Sequence, residues 1–497
     1  MGQARKAYAM RIHLNSIVGL LVVIACSLSG WSKFSTSTSW AGDGNTNRSG
    51  TMNHDRGNRD WSNDAVLDWN AVLLQACAND YDPAVVSPPD QRGPERTARA
   101  FAIVHVAIFD AVNSVDGSFT PYLAAIKAAP GASIDAAVAQ AGHDTLIALY
   151  PHQKALFDSA LAQSLDGIPS WQSRRGVEVG KASAANILAA RANDGSMESM
   201  SYTPIRLPGY HRVDPLHPTQ GYLNPMWGRV IPFTMTSSEQ FLAPDFVGEN
   251  PVSRFAWLNS DEYTAAFLEV KAFGAKNSSV RTADQTEIGI FWSYDGSPRL
   301  GTPPRLYNQI ARVIANQMDN SEVENARLFA LINLAMGDAG ISCWYCKYEY
   351  QFWRPIIGIR NAASTGNPAT VADRNWEPLG AQADNGSGTN FTPSFPSYTS
   401  GHASFGSALF QVLRRYYGTD EIPFRFQSDE FNGVTQDDTG KVRPRRTRCY
   451  FNMTQAEKEN HDSRIYLGVH WRFDQHWGLV EGQALGNFVI DNYLLPR

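Results

Sequence analysis

From residue 61 onward, apolar residues recur at the spacing of helix faces. Val66, Leu67, Val72, Leu73, Leu74 and Ala76 fit one helix, and residues 101–112, 134–149, 156–165 and 182–190 give further apolar-faced helices. Helix starts are marked by three capping-box patterns: Thr282 with Gln285, Ser321 with Glu324, and Thr454 with Glu457. Gly and Pro gather instead in two loop-like stretches, 207–228 and 366–396. Strand-type alternation and βαβ spacing are scarce, and no repeat of fixed period is found. The pattern predicts a mainly α protein of two packed helical bundles, over residues 61–280 and 281–497, joined near 275–285.

The first 60 residues read differently. Arg5, Lys6 and Arg11 precede an apolar run from 17 to 28, broken only by Gly19 and Ser27. That run is shorter than the roughly 20 residues a bilayer span needs, so residues 1–41 read as a signal peptide and export segment. Cleavage fits after Ala41. A lipoprotein box at Val23-Ile24-Ala25-Cys26 is the alternative, with a lipid anchor on Cys26. Residues 42–60, rich in Ser, Thr, Asn and Gly, read as a disordered linker. No later stretch is expected to cross a membrane, and an exported protein, secreted, periplasmic or tethered at the surface, is expected.

Composition narrows the function classes. The 497 residues are 43% hydrophobic, enough for a large core, and only 18% are charged, against about 25% in a typical globular chain. With 43 Lys+Arg against 48 Asp+Glu, the net charge of −5 argues against a nucleic-acid binder. Five cysteines are too few for a disulfide scaffold. Cys343 and Cys346 form a C-x-x-C without partners for zinc or a βαβ context for redox work, and read as structural thiols or an incidental disulfide.

Candidate chemistry sits in three short segments. In the first, Lys347 and Arg354 are seven residues apart, two helical turns, and are expected on one helix face. Two inward cations suit a tetrahedral oxyanion. A solvated basic face is the rival reading, weakened by the intervening Tyr348, Tyr350, Phe352 and Trp353, which would leave unpaired cations in apolar surroundings. In the second, Ser400-Gly401-His402 precedes a helical pattern and is expected at a helix N-terminus. Free N–H groups there favour an anion, and the imidazole can exchange a proton. A Ser cap beside a surface His is the plain alternative. In the third, Arg464 adds a cation, and Asp474, four residues beyond His470, is in reach to set its tautomer. Divalent-metal binding by His470, Asp474 and His476 lacks a second cluster and the right helical angle.

In order, the three segments read K-x6-R-P, S-G-H and S-R-x5-H-x3-D. This combination resembles the superfamily shared by vanadium-dependent haloperoxidases and type 2 phosphatidic-acid-type acid phosphatases. The resemblance covers residues 286–480 well, through FWSYDGSPRLGTPPRLYNQI, FPSYTSGHASFGSALFQVLRRYYG and SRIYLGVHWRFD, and 60–280 only as a helical pattern. One departure is Thr399, where the family has proline. Trp344 and Phe395 match aromatic positions of the halide pocket in fungal-type chloroperoxidases, which selects the haloperoxidase branch.

The resemblance implies a vanadate cofactor, vanadium staying at +5, with the His470 ring nitrogen bonded to the metal. It implies that Lys347, Arg354, Ser400, the Gly401 N–H and Arg464 hold the vanadate oxygens. His402 would be the acid–base group, Asp295 the partner of Arg464, and Lys347 a polariser of bound peroxide. Hydrogen peroxide, chloride or bromide, and small organic acceptors would be the reactants. The runner-up is a secreted acid phosphatase with His470 as nucleophile and His402 as proton donor.

Overall fold

The computed structural model describes residues 64–497, apart from 125, 249, 382–390 and 437–440. The signal, lipoprotein-box and linker readings, with Cys26, lie outside the described residues.

The first half runs through α1 (Ala65–Asp80), α2 (Pro94–Asp116), α3 (Ile134–Leu149), α4 (Lys154–Leu165), α5 (Ser170–Arg191), α6 (Pro251–Leu258) and α7 (Asp261–Phe273). The second half holds α8 (Ala283–Phe291), α9 (Pro303–Gln317), α10 (Glu322–Tyr350), α11 (Pro355–Arg360), α12 (Gly401–Tyr417), α13 (Met453–Tyr466) and α14 (Arg472–Asn492). Among the described residues the only sheet is one antiparallel pair, β1 (Phe424–Gln427) with β2 (Thr447–Tyr450), Phe424 opposite Tyr450. The mainly helical expectation stands.

Local chemistry explains most boundaries. Thr282–Gln285 and Ser321–Glu324 form the reciprocal capping boxes that start α8 and α10. The third expected box fails: α13 starts two residues earlier, because Asn452 caps it by accepting from the Gln455 N–H at 2.9 Å. Asn is as good a cap as Thr, and it comes first along the chain.

At the centre lies α10, apolar on almost every side, which buries it against α2, α12 and α14. One apolar cluster runs from Val66 to Leu494, so the two halves share a core; a second, around Tyr263, Phe352, Trp353 and Trp471, supports the turn after α10. Against expectation, α2 and α10 do meet the length and apolarity of a membrane span. Both are mostly buried inside the fold, as core helices are. The thiols of Cys343 and Cys346 are free and buried on α10, which settles for structural thiols over a disulfide.

The packing of α14 on α12 serves the site directly. Gly478 and Gly482 of α14 face the start of α12: a Cβ on Gly478 would lie 2.8 Å from the Ser400 carbonyl oxygen, and one on Gly482 would collide with that of Ser404. These glycines let α14 lie against the first turn of α12.

Candidate active site

Three chain segments meet where the sequence places its cations and imidazoles, but not with the expected local geometry. Lys347 lies in the last turn of α10, which ends at Tyr350 with Gln351 as a left-handed C-cap (φ 50°). Arg354 then takes extended backbone and caps α11, whose first residue is Pro355. The residue before proline avoids helical angles, so Lys347 and Arg354 do not share one helix face. A chain reversal brings them together instead.

Both cations are fully buried. Lys347 Nζ donates to the carbonyls of Pro396 (3.2 Å), Ser397 (3.1 Å) and Thr399. It thus gathers the loop that leads into α12, and burial pushes its pKa down to about 8. Arg354 Nε donates to the Phe395 carbonyl at 2.8 Å, and Nη1 to the Val469 carbonyl at 2.8 Å and to His470 Nε2 at 2.9 Å. Phe395 supports both charges through its ring face, 5.1 Å from Lys347 Nζ and 4.8 Å from the Arg354 guanidinium. Its centroid is 4.7 Å from that of Trp344.

Ser400 caps α12, so Ser400, Gly401 and His402 stand at the helix N-terminus as expected. The Ser400 N–H donates to the Asp474 carbonyl at 3.0 Å, tying the second segment to the third. The peptide bond before Thr399 is cis. Thr399 Oγ1 and Ser404 Oγ both donate to Glu481 of α14, each at 2.9 Å. His402 Nε2 lies 3.0 Å from the Trp292 carbonyl oxygen and 2.8 Å from that of Ser293. Two acceptors there place the ring proton on Nε2 and leave Nδ1 as a base. Burial, reinforced by Arg464, holds the His402 pKa well below the usual histidine range.

Arg464, near the end of α13, makes a two-pronged pair with Asp295 at 2.8 and 2.9 Å. His470 lies in the turn between α13 and α14. Its Nδ1 donates to Asp474 Oδ2 at 2.8 Å, and the Trp471 N–H reaches the same oxygen at 3.0 Å. Asp474 therefore reaches His470 from the first turn of α14 as part of a cap, not along a continuous helix. The bond keeps the ring proton on Nδ1 and the lone pair on Nε2, where it accepts from Arg354 Nη1, and burial with three nearby cations keeps the ring neutral.

One cavity joins these groups. Asp295, Trp344, Phe395, Gly401, His402, Arg464 and His470 line it; Lys347, Arg354, Ser400 and Asp474 are not part of the lining, and Arg354 and Asp474 bond the lining residue His470. Tyr81, Pro94, Leu223, Thr302 and Phe391 also line it. Sequence reasoning missed these, and for Tyr81, Pro94 and Leu223 no local signal exists, since only the packing of the first half against the second carries them there. Three buried donors, Arg354 Nη2, Arg464 Nε and the Trp344 indole N–H, have no acceptor among the described residues. Unpaired cationic donors in a dry site are costly unless an anion joins them. The donor set fits an oxyanion.

A family model described as the VCPO second helical-bundle domain matches residues 327–494. The chain is 36% identical over 500 residues to the vanadium chloroperoxidase of Curvularia inaequalis, across 84% of this chain and 80% of that one. The fold is similar to a bacterial vanadium-dependent iodoperoxidase (TM-score 0.66, 21% identity, 88% of this chain and 99% of that one). It is also similar to a holo-type bacterial vanadium-dependent chloroperoxidase (TM-score 0.62, 17% identity, 83% and 94%). Identity extending over most of both chains, together with the shared fold, leads to one conclusion: the chain belongs to the vanadium chloroperoxidase family of vanadium-dependent haloperoxidases.

Proposed function

We propose that the protein is a vanadate-dependent haloperoxidase that uses hydrogen peroxide to oxidise chloride or bromide to hypohalous acid, which halogenates small organic acceptors. The observation that carries this reading is the pair of buried guanidinium donors, Arg354 Nη2 and Arg464 Nε, with no acceptor among the described residues, beside a neutral imidazole whose unprotonated Nε2 meets only Arg354 Nη1 there. Lys347, Arg354, Arg464, Ser400 and the Gly401 N–H would hold the vanadate oxygens, and His470 Nε2 would meet the metal. When bound, vanadate supplies a Lewis acid that makes peroxide electrophilic.

The chain's own residues do the rest. Asp474 keeps the proton of His470 on Nδ1, so Nε2 stays a ligand. His402 takes or returns a proton at Nδ1 while the Trp292 and Ser293 carbonyls hold the other nitrogen. Trp344 and Phe395 exclude water from the halide, and the free indole N–H is a donor for it. Asp295 fixes the plane of the Arg464 guanidinium. The basic and apolar N-terminal segment supports export, with Cys26 as the site of a lipid anchor if the lipoprotein box is used.

The test is a halogenation assay on a phenol dye with peroxide and halide, with and without added vanadate, beside p-nitrophenyl phosphate hydrolysis by the vanadate-free protein. Vanadate-dependent halogenation is expected. Phosphate-ester hydrolysis alone would replace this reading by the phosphatase one.

A further inference from the structure

The His402 side chain is aimed by backbone carbonyls, and something must aim the carbonyls. Between Ser293, which accepts from His402, and Asp295, which grips Arg464, lies Tyr294 in the left-handed region at φ 41°. A bulky non-glycine residue holds that conformation only when its surroundings enforce it. This one turn points the Ser293 carbonyl towards His402 and the Asp295 carboxylate towards Arg464.

The enforcing contacts come from a segment the reaction does not otherwise use, the single 3-10 turn Asp429–Phe431 between β1 and β2. Glu430 is fully buried there. Its Oε1 accepts from the Ser293 hydroxyl at 2.6 Å and from the Tyr294 N–H at 3.1 Å, and its Oε2 pairs with Arg443. Ser428 Oγ donates to the Phe291 carbonyl at 2.7 Å, and the Asp429 N–H donates to the Tyr294 hydroxyl at 2.7 Å. Asp429 is itself paired with Arg305 at 2.6 Å. A buried carboxylate with one oxygen given wholly to this turn is a fixture of it, whereas an incidental ion pair would have no reason to accept the N–H of the left-handed residue.

We infer that Glu430 is a positioning residue of this active site: it fixes the Ser293–Asp295 turn, and with it both the ring tautomer of His402 and the two-pronged hold on Arg464. It touches no reacting atom. The role rests on the proposed haloperoxidase reading only for the reaction it serves; the geometry it controls can be read without turnover.

The experiment compares the full chain with E430A and with the neutral pair E430Q/R443Q. Histidine-selective 15N NMR of the vanadate-free protein, with the His402 signals assigned by their loss in H402Q, reads the tautomer. Calorimetric titration with orthovanadate reads affinity. The inference expects a single Nε2-protonated ring in the wild type and an altered or mixed pattern in E430A. It expects vanadate affinity in E430A weaker by about tenfold, the scale of outer-shell losses at metal sites. The side-chain amide oxygen introduced by E430Q can still accept from Ser293 and Tyr294, so both signatures should recover in the double variant. Wild-type signatures in folded E430A would overturn the inference. So would failure of both signatures to recover in a folded double variant. Absence of halide oxidation by the wild type would instead sink the haloperoxidase reading and leave the tautomer comparison standing.

Discussion

At the residue scale, function comes down to which nitrogen of each imidazole carries the proton. His402 and His470 are both buried and neutral, and both are oriented by a bond to the far ring nitrogen, but with opposite tautomers. Carbonyls hold Nε2–H of His402 and leave the lone pair on Nδ1; a carboxylate holds Nδ1–H of His470 and leaves the lone pair on Nε2, beside Arg354. One ring is thereby suited to proton transfer and the other to ligation. H402A is therefore expected to bind vanadate with little change while turnover falls about 10²–10⁴-fold, the usual range for a lost acid–base group; equilibrium binding beside steady-state kinetics checks both halves. Phe395 is the second residue with a sharp expectation. It supports two cations and lies against Trp344, so F395H should lower chloride oxidation relative to bromide, measured as the ratio of initial rates with the two halides.

At the element scale, the site depends on how closely α14 lies against the first turn of α12. Gly482 has no room for a side chain beside the Ser404 carbonyl. G482A should push the helices apart, costing about 1–3 kcal/mol as an overpacked contact does. Because the shift falls on the helix that begins with Ser400 and Gly401, vanadate retention on dialysis should fall with stability in a denaturant titration. The same pair of helices holds Glu481, whose carboxyl is pushed up to about 7 by burial while Thr399 and Ser404 donate to it. A carboxyl raised above its unfolded value favours folding at low pH, and that contribution is lost as pH rises from the unfolded value through about 7. E481Q, which keeps an acceptor and cannot ionise, should flatten this part of the stability profile. Thermal melts of both proteins between about pH 4.5 and 8, the window that spans the two pKa values, read the difference.

Across the whole molecule, α10 joins the halves: it packs on α2 as well as on α12 and α14, and its last turn delivers Lys347. Arg354 Nη2 and Arg464 Nε have no acceptor among the described residues, an electrostatic cost that a bound anion would relieve. Orthovanadate should therefore raise Tm in proportion to the logarithm of its concentration, by about 2.7 kcal/mol of stability at a hundredfold excess over Kd. Inorganic phosphate, of the same shape, should do so to a smaller degree. Differential scanning calorimetry over a concentration series measures this, and an unmoved Tm would mean that the cations do not meet an anion.

The amino-acid sequence by itself determined what short-range physics controls. Helical content follows from apolar spacing, the starts of α8, α10 and α12 from local capping groups, and the identities of the cations and imidazoles from three ordered motifs. Even the failure of Lys347 and Arg354 to share a helix was legible in Pro355, because steric restriction of the preceding residue is local. Only the tertiary structure decided the rest. Which ring nitrogen is free depends on Ser293 and Trp292, more than 100 residues from His402. Glu430 acts on a turn whose residues are far from it along the chain, and Tyr81 and Leu223 reach the cavity because a shared core folds the first half over the second. Hydrogen-bond direction and burial are properties of neighbours in space, and no spacing along the chain encodes those pairings one residue at a time.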